Sequence, residues 1–322
     1  MAEVMRDIKR RMKTVESTEH ITNAMRLVSA AKFRRSKIRY DQTVVQLSQI
    51  TSVMEDLLLQ CQQSESRSEE PEPFNQAPVP GASGGGTVLM LRTRSRGLCG
   101  GYNSGLVKLA AETLRQCGGP VQICTIGTRG EEFFRRQEQP VLASFPEGPE
   151  KMRPQDAKRL ADAILSEWRE GRAAEILLVG MRYVNTLKQE AEVRRLLPVG
   201  GPAKAQTEGT KAEAEAEPDQ NRPEQVSNPV ESRRNWCEDL EFLPSKEEVL
   251  AYLLPKYLQL AIYQAAVEAA VSEHAARRSA MESATDSAHE MMATLSLTYN
   301  RARQQAITDE LIEIVSGSEA LK

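Results

Sequence analysis

The sequence predicts an α/β protein in which two long terminal helices pair antiparallel and bracket a small domain with a mostly parallel sheet. Three observations carry that expectation. Neither glycine nor proline occurs between Met1 and Glu70 or between Lys256 and Ser316, although both are frequent elsewhere. The middle of the chain alternates short apolar runs with amphipathic segments, a strand–helix–strand pattern that favours parallel pairing. The last segment repeats apolar and small residues at steps of three and four, as a coiled-coil seam requires.

The first helix is expected over residues 1–62, with Val4, Ile8, Met12, Val15, Ile21, Met25, Val28 and Ala31 near helical spacing. The stripe continues through Ile38, Val45, Ile50, Val53 and Leu57, and a basic outer face carries Lys9, Arg10, Lys13, Lys32, Arg34, Arg35 and Lys37. Residues 63–86 read as a linker, because Glu69–Pro73 and Gly81–Gly86 are rich in helix breakers.

Residues 87–199 form the α/β domain. Thr87–Leu91 and Val121–Ile126 are apolar strands, and Asn103–Cys117 is an amphipathic helix stopped by Gly118-Gly119-Pro120. Pro154 opens a helix to Glu170, and Glu175–Val179 is a third strand. Residues 200–245 read as a flexible acidic insertion, since Gly200–Asn235 is rich in Ala, Glu, Pro and Gln and offers little to a core. Residues 246–322 contain the second long helix, expected to follow Pro255. Its seam is Met281, Ala284, Ala288, Met291, Leu295, Tyr299, Ala302 and Ala306. A seven-residue average repeat implies left-handed supercoiling.

At ~1.5 Å per residue each terminal helix would be roughly 90–105 Å long, too long to bury itself in one small core. If the two apolar stripes cover each other, the result is a globular foot with a two-helix shaft. The alternative is a helical bundle folded back on itself, and neither end has the Gly or Pro turn that folding back would use. Such a shaft is built to reach something.

The composition narrows the function. Net charge is −3, but Met1–Tyr40 holds eleven Lys/Arg against four Asp/Glu, while Glu208–Glu248 is strongly acidic. No apolar run approaches the ~20 residues of a membrane span, and the N-terminus lacks the apolar core of a secretory signal. The five cysteines, Cys61, Cys99, Cys117, Cys124 and Cys237, lack metal-ligand spacing, which fits reduced thiols. Basic residues on the first helix raise the question of nucleic acid. Phe33 and Tyr40 are the only aromatics among them, so the face suits acidic protein loops or water better.

The segment Arg96-Gly97-Leu98-Cys99-Gly100-Gly101-Tyr102-Asn103-Ser104-Gly105 lies between a strand and a helix, where a phosphate loop would sit. It matches neither glycine-rich phosphate pattern, and no lysine directly follows the glycines to meet a phosphate, so a tight turn is the better reading. His20, His274 and His289 fall on the long helices, where packed or exposed structural histidines are the default. No nucleophile, metal or cofactor arrangement stands out.

Several strings are specific. Ile21-Thr22-Asn23-Ala24-Met25-Arg26-Leu27-Val28-Ser29-Ala30-Ala31-Lys32 resembles the first helix of the F-type ATP synthase gamma subunit family. The likeness extends to Arg96–Asn103 (Arg-Gly-Leu-Cys-Gly-Gly-Tyr-Asn), Ile126–Arg136, Ser272–Asp286, Tyr299–Leu311 and Glu313-Ile314-Val315, in the family's order. The resemblance implies an antiparallel helical shaft and a Rossmann-like foot. It also implies a non-catalytic rotor without cofactors, turning inside three alpha and three beta subunits. The foot would join the epsilon subunit and the membrane c-ring, making membrane association indirect and peripheral.

By the same resemblance Met25, Arg26, Arg277, Gln304, Thr308 and Glu310 would face the alpha and beta subunits. The apolar tip Leu311, Ile312, Ile314 and Val315 would turn in the upper sleeve. Rival readings are a coiled-coil scaffold with an α/β head and a nucleotide-binding enzyme using Gly97–Gly105. The sequence departs from the family in two places. Ser95 stands where the family usually has an acidic residue, and the insertion is longer than in typical bacterial members. Plastid members carry a cysteine pair there as a thiol switch. Here the region has only Cys237, so no internal disulfide switch is expected. A start without an organellar extension fits the cytoplasmic side of a bacterial plasma membrane.

Overall fold

A computed structural model describes residues 2–65, 85–94, 97–199, 243 and 245–320. The expected linker and acidic insertion, together with Ser95, Arg96 and Cys237, lie almost wholly outside those residues. The order of elements is α1 (Ala2–Glu65), β1 (Gly86–Arg92), α2 (Tyr102–Gln116), β2 (Val121–Ile126), α3 (Thr128–Arg136), β3 (Val141–Phe145), a 3₁₀ turn (Pro149–Lys151), α4 (Pro154–Arg169), β4 (Ala173–Tyr183), β5 (Gln189–Leu197) and α5 (Lys246–Ala320).

The sheet runs β3-β2-β1-β4-β5. β1 pairs parallel with β2 and β4, and β2 pairs parallel with β3, while β5 returns antiparallel along β4. Alternation along β1 separates two cores. Val88 and Met90 pack with Leu160, Ile164, Leu258 and Ile262 beneath α4 and α5. Leu89 and Leu91 pack with Leu106, Ala110 and Phe134 beneath α2 and α3. Both faces are covered, which is why the central strands read as continuous apolar runs. At the start of α4, Pro154 takes the first helical position, and Asp156 accepts the Arg153 backbone N–H at 3.1 Å.

The strand readings at β1, β2 and β4 hold, with β4 longer than the apolar stretch suggested. β3, β5 and α3 are additions. Val141–Phe145 is short, and Gln189–Leu197 is an edge strand whose alternate residues are charged, so neither shows as an apolar run. The expected start of the last helix after Pro255 is corrected. α5 begins at Lys246, with the Ser245 hydroxyl accepting the Glu248 N–H at 3.2 Å, and Pro255 lies inside it. An interior proline costs about 3 kcal/mol of helix stability. Burial of Leu250, Leu254, Tyr257 and Leu258 on the flanking turns offsets that, since each large apolar side chain taken from water is worth about 1.5–3 kcal/mol.

α1 and α5 lie antiparallel, with Thr22 against Thr285 and Glu19 against His289. The seam on α1 differs from the apolar stripe expected. Ile8, Val15, Thr22, Ser29, Ser36, Thr43, Ile50 and Leu57 recur at sevens, and Met12, Arg26, Phe33, Tyr40, Leu47 and Met54 lie on the companion row. All are buried or half-buried. Ile21, Val28, Ile38, Val45 and Val53 face outward instead. The seam on α5 is Met281, Ala288, Leu295 and Ala302 with Thr285, Met292, Tyr299 and Ala306. Ala284 is half-buried beside it, whereas Met291 is exposed. These heptads are coiled-coil rows in which small polar residues occupy core positions.

Candidate functional site

The foot meets the shaft where α5 passes the C-terminal end of the sheet. Every residue from Gln264 to Ala275 is buried, so this stretch has no solvent face at all. Alanines at 265, 266, 269, 270 and 275 let neighbouring elements approach closely. Among them lie Glu268 and Glu273, each about 1% exposed.

Arg92 and Arg94, at and just beyond the end of β1, reach these carboxylates. Arg92 forms an ion pair with Glu268 at 3.6 Å and donates to the carbonyl of Ala265. The Tyr183 N–H donates to Glu268 at 3.3 Å, and Arg194 of β5 stands 3.8 Å from it. Arg94 pairs with Glu273 at 2.5 Å, and Arg277 donates to the same Oε1 at 3.0 Å. Gly180 on β4 is a glycine for a local reason. The guanidinium of Arg92 lies against its α-carbon, and a β-carbon there would occupy the same space.

The glycine-rich segment completes this junction. Gly97 O accepts from Arg277 at 3.3 Å, and the Tyr102 hydroxyl donates to Ala269 O at 3.3 Å. Leu98 and Gly100 both take positive φ, 65° and 59°, which folds the loop tightly enough to reach the helix. The turn therefore grips α5 through a carbonyl acceptor and a tyrosine hydroxyl, whereas a phosphate loop turns backbone N–H donors toward an anion.

His274 is buried between Glu273, 3.6 Å from Nδ1, and Glu150, 3.8 Å from Nε2. Glu150 in turn accepts from Lys32 of α1 at 2.8 Å. Burial pushes the imidazole down to about 4, with Glu150 opposing. Burial likewise pushes the Glu273 carboxyl upward, and Arg94 opposes it and favours the charged form. Burial also raises Glu150, but the Lys32 hydrogen bond and the neighbouring cations outweigh it and hold that carboxyl below its usual range. The three groups offer ligand atoms within 4.8 Å of one another. Lys32, Arg94 and Arg277 already surround both carboxylates, so this is a poor place for a further cation.

On α1, Phe33 and Tyr40 turn inward to Tyr183, each with ring centroids 6.0 Å from it. The Lys37 ammonium stands 5.0 Å from the Tyr40 centroid and 5.3 Å from that of Tyr183, a contact worth about 0.5–1 kcal/mol when exposed. The two aromatics of the basic stretch thus pin α1 to β4.

The six expected contact residues do not share one environment. Met25 and Arg26 are half-buried at the seam, with Arg26 donating to the Asn23 side chain at 2.9 Å. Gln304, Thr308 and Glu310 are exposed near the end of α5. Arg277 is 7% exposed and committed to Glu273 and Gly97, so its guanidinium does not face outward. The residues missed by sequence reasoning are Arg92, Arg94, Glu268 and Glu273. Glu268 and Glu273 are charges inside an alanine-rich stretch, whereas Arg92 and Arg94 belong to the polar run Arg92-Thr93-Arg94 and carry no local signal.

Beyond the foot the shaft leaves much apolar surface uncovered. Among the described residues Ala306 is the last buried one, and Ile307, Leu311, Ile312, Ile314 and Val315 are 49–67% exposed. Val4, Ile21, Leu27 and Val28 are exposed on the facing half of α1. Among the described residues no helix is long and apolar enough to cross a membrane.

Known proteins resemble this chain along its whole length. The family model described as ATP synthase matches residues 4–321. The ATP synthase gamma chain of Moorella thermoacetica is 34% identical over 318 residues, covering 99% of each chain. That of Alkaliphilus metalliredigens is 35% identical over 318 residues, with the same coverage. Among solved structures, a chain of the Euglena gracilis mitochondrial ATP synthase OSCP/F1/c-ring assembly aligns with a TM-score of 0.59 at 15% identity, covering 100% of this chain and 95% of that one. A chain of the rotor of the same synthase aligns at 0.56 and 16% identity, covering 95% and 100%. At those identities the structures speak for the fold, and the sequence matches carry the assignment: this chain belongs to the ATP synthase gamma chain family.

Proposed function

We propose that this chain is the central rotating shaft of an F-type ATP synthase. It would couple ion flow through the membrane sector to ATP synthesis or hydrolysis in a ring of alpha and beta subunits, with no active site of its own. The observation that carries this reading is the apolar exposure of the shaft. Soluble chains seldom leave so many large side chains uncovered along one rod unless another protein encloses them.

An asymmetric rod cannot present one face to three catalytic subunits at once. Each subunit is then biased toward a different conformation, because a partner shifts an equilibrium only by its differential affinity for the two states. Met25, Arg26, Gln304, Thr308 and Glu310 are the residues proposed to touch those subunits. Arg277 acts behind them by fixing Glu273. The exposed end of α5 would turn within an apolar sleeve, where non-directional contacts permit rotation. The foot would join the epsilon subunit and the c-ring, placing the chain at the cytoplasmic face of the membrane without spanning it. The domain division 1–62, 63–86, 87–199, 200–245 and 246–322 then separates shaft, linker, foot, insertion and shaft.

The test is purification of the native complex with subunit counting and a single-molecule rotation assay. One copy per ATPase hexamer and ATP-driven turning of a bead on the foot are expected. Absence of the chain from the ATPase complex would overturn the reading.

A further inference from the structure

We propose that Arg92–Glu268 and Arg94–Glu273 form a rotational lock, fixing the foot to α5 so that the two turn as one body. The proposal rests on the rotor reading above and goes beyond it by naming the residues that carry torque across the junction.

Torque must pass between the foot and a helix whose surface here is rich in alanine. Small apolar side chains pack closely, but their contacts are non-directional and resist rotation of the helix about its axis only weakly. Polar groups behave differently. Between Gln259 and Arg277 the foot grips α5 at successive heights. Gln259 donates to Pro154 O at 3.1 Å. Ala265 O accepts from Arg92, and Glu268 is held by Arg92, Arg194 and the Tyr183 N–H. Ala269 O accepts from Tyr102, Glu273 pairs with Arg94, and Arg277 holds Gly97 O. Successive residues of a helix point about 100° apart, so grips at 265, 268, 269 and 273 fan over an arc of about 140° on the side of α5 that faces the foot.

Turning the helix relative to the foot would separate these buried charges with no water to replace the lost partner, which is strongly unfavourable. The grips come from β1 and the loop after it, from β4 and β5, and from the starts of α2 and α4, so several elements of the foot share the load. Along the free shaft only two polar cross-links join the helices among the described residues, Thr22–Thr285 and Glu19–His289. Polar gripping is thus concentrated where the foot and the shaft must not slip.

The test uses the intact membrane complex carrying Arg94→Gln, Glu268→Gln or both, with Arg94→Lys as the conservative control. Ion pumping per ATP hydrolysed and the angular fluctuation of a bead on the foot are measured, together with the thermal midpoint. ATP hydrolysis should stay near the parent's. The double variant should show a severalfold loss of pumping per ATP and a broader angular distribution, and Arg94→Lys should lose much less of both than Arg94→Gln. If the double variant does not assemble, the single variants decide by the same two measurements. An assembled variant with the parent's pumping ratio and fluctuation width overturns the lock. A parent complex that shows no rotation would instead sink the rotor reading on which it rests.

Discussion

The hydroxyls of Thr22 and Thr285 share a hydrogen bond of 2.8 Å across the shaft, although 263 positions separate them in the chain. Both sit on the heptad rows, at positions where a coiled coil ordinarily places aliphatic residues. Each also lies within reach of a carbonyl of its own helix, Glu19 at 3.0 Å and Met281 at 2.8 Å, so one hydroxyl donates across the shaft while the other donates to its own helix. The pair therefore fixes the axial register of two helices at one height.

Replacing one threonine by valine removes one hydroxyl and leaves the other its own-helix carbonyl. We expect each single change to destabilise the chain by about 0.5–1.5 kcal/mol, the usual net worth of a hydrogen bond. The double Thr→Val variant should be less destabilised than the sum of the singles. A double-mutant cycle by urea unfolding measures this, and additivity within error would show that the bond carries no coupling.

Gly180→Ala should disrupt the junction, because the new methyl would displace the Arg92 guanidinium from Glu268. Separating a buried charge from its partner costs about 3–5 kcal/mol. A fall in the unfolding midpoint is expected, together with loss of amide protection around Ala265. Alanine at the exposed Gly118, where a β-carbon meets nothing within 4 Å, should have little effect.

His274 makes stability depend on acid. Its folded value is pushed below its ordinary 6.5 to about 4 by burial, so the unfolded chain takes up a proton first as pH falls. The stability this neutral imidazole contributes is whole above about pH 6.5 and is lost progressively as pH falls toward 4. His274→Gln should flatten that part of the stability profile. An unchanged slope between pH 6.5 and 4 in the variant would assign the acid sensitivity elsewhere.

Removal of Gln304–Lys322 should impair coupling more than assembly. Ala306 is the only buried residue among those described in that segment, so the junction and nearly all of the seam survive. Subunit composition and ATP-driven pumping of the complex read the two effects separately. Complete failure to assemble would contradict this division.

The elements legible in the sequence were those with a strong local signal. Gly118-Gly119-Pro120 ended α2, Pro154 opened α4, and Val-Leu-Met-Leu marked β1. The long helices showed through their missing breakers. The apolar seam of α1 was misread because Thr22, Ser29 and Thr43 fill core positions while Ile21, Val28 and Val45 face outward. An apolar count assigns such a helix to its outer face. The junction was less legible still. Nothing near Arg92 or Arg94 announces a carboxylate partner about 175 residues away, and Glu268 and Glu273 look like ordinary solvated charges on an alanine-rich helix.

By itself the sequence determined that this chain is a foot with two long uninterrupted helices, since helix breakers and short apolar runs act locally. Only the tertiary structure decided which face of α1 is covered and which charges are buried. Burial depends on what a side chain meets across space: Ile21 stays exposed because the register puts Thr22 against Thr285, and Glu268 is held dry because β1, β4 and β5 close over it.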